Sequence, residues 1–136
     1  MYIPVLGNHP TEKSIIKIAY DDEYFYVAAW LYYTNAENIR AIGKKRDYNS
    51  ISIDYFGVIL DTFYDKENGV SFHTNPNGLR TDVTIKNDAA VLYEDVSFSW
   101  NTFWDVKTMV KENIYGRLNI EFHFQVYDFN LIMEKQ

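Results

Sequence analysis

Apolar residues recur along this chain with a period of two or in short continuous runs. Nowhere do they hold a 3.6-residue repeat over the length a globular helix needs, so the pattern predicts strands. The first covers about 14–20, SIIKIAY, with Ile16, Ile18 and Tyr20 on one face and Ile15, Lys17 and Ala19 on the other. The acidic DDE that follows supplies a turn. The second covers 24–33, YFYVAAWLYY, where Phe25, Val27, Ala29 and Leu31 line one side and Tyr24, Tyr26, Ala28, Trp30 and Tyr32 the other. Both of its faces are apolar. Such a strand is either covered on both sides in a sheet centre, or keeps one face in the core and presents the other to a ligand.

A polar stretch, TNAENIRAIGKKRDYNS, separates this pair from a third strand at 52–60. Asn68-Gly69 then reads as a tight hairpin turn, because type I′ geometry needs positive φ at both central residues, and it predicts that 52–66 folds back on 70–75. Asn75-Pro76-Asn77-Gly78 reads as the next turn. Proline presets φ at its second position, and Asn and Gly tolerate the left-handed region after it. Strands at 79–85, 103–110 and 117–126 follow, the last two joined by a turn from Asn113 to Gly116. Short strands with regular turns point to an all-β fold, an antiparallel β-sandwich.

Length and composition narrow the function. At 136 residues the chain is one domain by the usual allowance of about 100–200 residues each. Lys and Arg total 13 against 19 Asp and Glu, a net charge of −6, which repels a polyanion and excludes nucleic acid as the expected partner. Apolar residues make up 47%, too many for intrinsic disorder. The absence of cysteine removes disulfides, thiol nucleophiles and thiolate metal sites. No apolar run reaches the roughly 18 residues of a membrane span, and the opening MYIPVLGNHP lacks the basic start and apolar stretch of a signal peptide. With 12 Tyr, 9 Phe and 3 Trp, the chain is rich in side chains that suit strands and surfaces apolar on the ring and polar at the tip. His9, His73 and His123 are scattered, and no HExxH, G-x-S-x-G or glycine-rich phosphate loop is present. No acidic pair, Asp54 with Asp61 or Asp21 with Asp22 included, stands out as a glycosidase pair, and no enzyme activity is expected.

Three stretches in order, YDDEYFYVAAWLYY (20–33), KKRDYNSISIDYFGVILDTFYDKENGVSFHTNPNGLRTD (44–82) and SWNTFWDVKT (99–108), resemble carbohydrate-binding module family 9 and its relatives in the DOMON-like β-sandwich superfamily. The likeness is nearest to the N-terminal module of large surface proteins of polysaccharide-degrading bacteria, and it covers about 14–122. It implies a jelly-roll-like sandwich, binding of mono-, oligo- or polysaccharides, and a place beside glycoside hydrolases in carbohydrate breakdown. Relatives are periplasmic, cell-surface or secreted. Members usually begin with an acidic stretch feeding a further strand, so an N-terminal strand is expected to be missing here. They end on a "W..E..IPF..LRF" strand, whereas this chain reads RLNIEFHFQVYDFNLIMEKQ. One plausible back-translation of its last fifteen residues, read in a shifted frame, gives ISFPSLRFQSNNGKT, which would restore the family ending; on that hypothesis the gene carries a frameshift near Phe122 and 123–136 is an atypical tail. Unpaired sheet edges at such ends favour aggregation or dimerisation.

Sugars offer hydroxyls at the rim and weakly polarised C–H groups on the ring face, so a site for them wants flat aromatic side chains and a few fixed hydrogen-bonding groups. Trp30 with Tyr26 and Tyr32 is a candidate stacking platform, unless that face packs beneath a loop. Trp100 and Trp104 fall in the Trp-rich segment, with Trp104 the better core residue and Trp100, at the loop end, the better ligand contact. Arg80 and Asp82 alternate on one strand and share a face, as polar anchors for a sugar or as a solvated surface. Asp61, Asp65 and Asn68 bracket a turn and suit either a hard cation such as Ca²⁺ or the capping of backbone amides. Arg46 and Asp47 form an ion pair or meet ligand hydroxyls. A haem site, known among distant DOMON-like sandwiches, would have only His73 and Met109 as axial ligands. The competing class is a protein-interaction domain that keeps the sandwich without a sugar site.

Overall fold

Asp21 closes the first hairpin. Its Oδ1 accepts the backbone amides of Glu23 and Tyr24, each at 2.8 Å, and the Asp21 amide returns a bond to the Tyr24 carbonyl at 3.0 Å. This local satisfaction of the backbone fixes the register of β1 (Ser14–Tyr20) against β2 (Tyr24–Tyr33), from Tyr20 opposite Phe25 to Ser14 opposite Leu31. The computed structural model describes residues 9–10, 12–34, 36–41, 52–91, 94–111 and 116–125, with backbone alone at 36 and 116–125. Arg46 and Asp47 lie outside these residues, as do 113–115 and 126–136.

β2 pairs on its other side with β8 (Gly116–Gln125), and β8 with β7 (Trp104–Lys111), giving an antiparallel sheet in the order β1-β2-β8-β7. The second sheet orders β3 (Phe56–Leu60), β4 (Gly69–Thr74), β5 (Arg80–Ile85) and β6 (Val96–Ser97) in sequence, also antiparallel. The fold is all-β, as the alternation predicts. His123–Gln125, assigned from the sequence to an atypical tail, continue β8 and stand opposite Tyr26 to Tyr24 of β2.

One turn differs from its prediction. Asn68-Gly69 is not a two-residue hairpin; Gly69 already belongs to β4, and the connection is the eight-residue loop 61–68. Two of its residues, Tyr64 and Lys66, take the left-handed conformation, while Asp61 and Asp65 turn their carboxylates onto loop amides. Capping by two aspartates outcompetes the tight turn. Asn75-Pro76-Asn77-Gly78 behaves as expected. The Gly78 amide bonds the Asn75 carbonyl at 2.9 Å, Gly78 carries φ 74°, and the fully buried Asn75 side chain accepts the amides of Asn77 and Leu79, both at 3.0 Å.

The two sheets meet through one cluster: Val27 and Ala29 of β2, Val70 and Phe72 of β4, and Trp104 of β7. Phe72 packs edge-on against Trp104 at 5.3 Å and Trp100 at 6.1 Å between ring centroids. Two polar ties join the same layers. Arg80 Nη1 donates to the Trp104 carbonyl at 2.7 Å, and the buried Asp82 accepts the Thr102 amide at 2.8 Å. At the β1 edge the sheet overhangs its partner, so Ile16, Ile18 and Tyr20, on the side that β2 turns inward, are 54%, 63% and 66% exposed.

Replacing Phe72 by Ala removes the ring that both tryptophans contact. The expected cost is about 3–5 kcal/mol, read as a lowered urea midpoint with a changed tryptophan emission in the native baseline.

Candidate functional site

Because Val27 and Ala29 face the core, period-two geometry turns Tyr24, Tyr26, Ala28, Trp30 and Tyr32 to the opposite, outer face of the first sheet. All are half-buried rather than enclosed. Tyr24 and Tyr26 lie 5.9 Å apart between centroids, and the Tyr26 hydroxyl donates to Asp21 Oδ2 at 2.8 Å. That bond anchors one end of the aromatic row to the hairpin. From the neighbouring strand side, the Lys17 ammonium sits 5.5 Å from the Trp30 ring centre and the Lys13 ammonium 5.9 Å from that of Tyr32. Exposed cation–π contacts contribute only about 0.5–1 kcal/mol, so these lysines are held weakly over the rings. On the far flank, Arg117, Asn119, Glu121 and His123 of β8 stand in register with Tyr32, Trp30, Ala28 and Tyr26. The result is a band of rings bordered on both sides by polar positions.

Trp100 lies elsewhere. It packs against Phe72 at one end of the core and lines a cleft of about 490 Å³ with Phe63, Asp65, Asn68, Thr84 and Lys86. That volume falls within the range of about 300–1,000 Å³ typical of small-molecule sites. The structure therefore brings Trp30, Tyr26 and Tyr32 together, and separately gathers Trp100 with Asp65 and Asn68. Sequence reasoning missed Phe63 and Lys86 in the cleft and Lys13 and Lys17 on the platform. The lysines had a signal, since Lys17 falls on the same alternation as Ile15 and Ala19.

Arg80 and Asp82 do share a face, but it is the inner one. Their bonds to Trp104 and Thr102 make them ties between layers, with Arg80 also 3.8 Å from Asp105, so Asp82 offers no surface to a sugar. Asp61 and Asp65 cap the turn: Asp61 accepts the amides of Asp65 and Lys66, and Asp65 those of Glu67 and Asn68 plus the Asn68 side chain at 2.7 Å. Among the described residues no cluster of three or more His, Cys, Asp or Glu is placed to hold a metal ion. In this geometry Asp61, Asp65 and Asn68 make the capping bonds that their place around the turn predicts. His73 and Met109 cannot flank a haem, because His73 lies opposite Thr81 on the outer side of the second sheet and Met109 opposite Asn119 on the outer side of the first. Comparison with protein-family models, with curated proteins and with solved structures gives no match.

The same hydrogen bonds set two carboxyl pKa values. The Glu23 amide, the Tyr26 hydroxyl and the Tyr24 amide hold Asp21 below the usual aspartate value, and the Asn68 side chain and the amides of Asn68 and Glu67 do so for Asp65. Reciprocally, the Asp21 carboxylate pushes the Tyr26 phenol up. A carboxyl lowered on folding stabilises the native state above its unfolded value and loses that contribution as pH falls through its folded value. Asp21→Asn and Asp65→Asn are thus expected to lower stability at pH 7 and to flatten its decline below about pH 4. Urea midpoints measured from pH 7 to pH 2.5 check both.

Proposed function

We propose that this chain is a non-catalytic carbohydrate-binding module of the family 9 type, whose ligand surface is the outer aromatic face of the first sheet. One observation carries the reading. The outer face of an antiparallel sandwich is ordinarily polar by alternation, yet here Tyr24, Tyr26, Trp30 and Tyr32 occupy successive outward positions, with Ala28 alone interrupting them. Rings in a row along an extended strand match the C–H faces of successive sugar units. Lys13, Lys17 and the polar register positions of β8 border the row, where hydroxyls of a bound saccharide would lie. The Trp100 cleft, with Asp65, Asn68 and Lys86 at its rim, suits a shorter saccharide or a chain end.

Stacking and a few hydrogen bonds correspond to Kd between about 1 μM and 1 mM. Tethering to an enzyme or a surface raises the effective concentration, which makes targeting of a polysaccharide-degrading assembly the role that fits such an affinity. A second reading, a protein-interaction domain, draws on the exposed Ile16, Ile18 and Tyr20 at the β1 edge, since exposed apolar edges invite strand pairing with another chain.

Titrating intrinsic tryptophan fluorescence with a panel of soluble mono- and oligosaccharides tests the proposal. A saturable change with one sugar class, abolished in Trp30→Ala and retained in Trp100→Ala, is the expected result. The reverse pattern would move the site to the cleft, and silence across the panel in folded protein would favour the interaction domain.

A further inference from the structure

The outer side of the second sheet carries a depression for which the sugar reading has no use. On it β4 and β5 place His73 opposite Thr81 and Ser71 opposite Val83. Ser71, Thr81 and Val83 are only 1%, 4% and 4% exposed, although they point away from the core. Walls of Tyr55 and Ile59 on one side and Ile85, Ala89, Val96 and Phe98 on the other enclose a groove of about 370 Å³, and the rim residues Ile59 and Phe98 are themselves exposed. In a chain where 24% of residues are charged, no lining residue among the described ones is Asp, Glu, Lys or Arg.

The floor is polar in one strip. Ser71 Oγ lies 2.6 Å from His73 Nε2, and the buried Thr81 hydroxyl has no hydrogen-bond partner among the described residues. Gly57 allows the imidazole to rest flat on β3, since a Cβ there would come within 2.5 Å of Nδ1. Burial lowers the His73 pKa from its ordinary value, favouring the neutral ring. An ion entering this groove would lose hydration with no opposite charge among the described lining residues to meet it. A neutral hydroxyl both donates and accepts, which is what an unpaired hydroxyl beside a serine–histidine pair calls for. The rings of Tyr55, His73 and Phe98 favour an aromatic body.

We propose that this groove is a second binding site, for a small neutral aromatic molecule bearing one hydroxyl, of the phenol class. The ring lies between Ile59 and Phe98 and the oxygen reaches the strip formed by Ser71, His73 and Thr81. This site is independent of the sugar surface, from which it is separated by the whole thickness of the sandwich.

NMR of the full chain, following the His73 ring while phenol is added, tests it. The expected result is a saturable shift, at least tenfold weaker binding of benzoate, and phenol binding weakened about two- to tenfold in Thr81→Val, the value of one hydrogen bond. Thr81→Val is nearly isosteric and removes an unpaired group, so it is expected to fold. Ile59→Asp, at an exposed rim position, is expected to weaken phenol binding further, and Trp30→Ala to leave it unchanged. Absence of a saturable His73 shift in folded protein would overturn the proposal. So would equal binding of benzoate, undiminished binding by Thr81→Val, or a response that maps to Trp30 and vanishes in Trp30→Ala.

Discussion

Phe72 is the residue on which the arrangement rests. It is fully buried, it belongs to the second sheet, and its ring meets Trp104 of the first sheet and Trp100 of the segment leading into it. Edge-on aromatic pairs add about 0.5–1.5 kcal/mol beyond the area they bury, and they fix orientation as well as distance. With the core side of β2 committed to this cluster through Val27 and Ala29, a period of two leaves no choice for Tyr26, Trp30 and Tyr32. The proposed ligand surface is the other side of the packing decision.

The polar ties follow from the same contact. Once Trp104 is seated, its carbonyl is held beside β5, where Arg80 donates to it, and the Thr102 amide reaches the buried Asp82. Residues that look like anchors for a sugar are instead spent on joining layers. The loops obey a similar economy: Asp21, Asp61, Asp65 and Asn75 each direct side-chain oxygens to nearby amides, satisfying backbone groups that the ladders leave open. For Asp21, Asp61 and Asp65, the turn supplies the structural role of the carboxylate.

Strand positions were legible because alternation is a local property. The bounds of β1 and β2 agree with the sequence reading, and Asn75-Pro76-Asn77-Gly78 makes the turn its residues specify. The 61–68 loop was misread because Asn-Gly is only a local preference, and two aspartates capping amides outweighed it. Within the candidate site, the platform of Tyr26, Trp30 and Tyr32 was legible from one strand. Whether Arg80 and Asp82 faced in or out was not, since alternation says which residues share a face and only the opposing sheet says which face is covered. Phe63 and Lys86 were invisible for the same reason, as they join Trp100 through contacts between distant segments.

The most direct test of the ligand surface is retention on insoluble polysaccharides, comparing the unaltered chain with Trp30→Ala and Tyr32→Ala at matched stability. The account predicts that the chain is depleted from solution by at least one glycan, that soluble oligosaccharide of the same linkage releases it, and that both variants remain in solution. Equal retention of the variants, or no retention of the folded chain on any glycan, would contradict it.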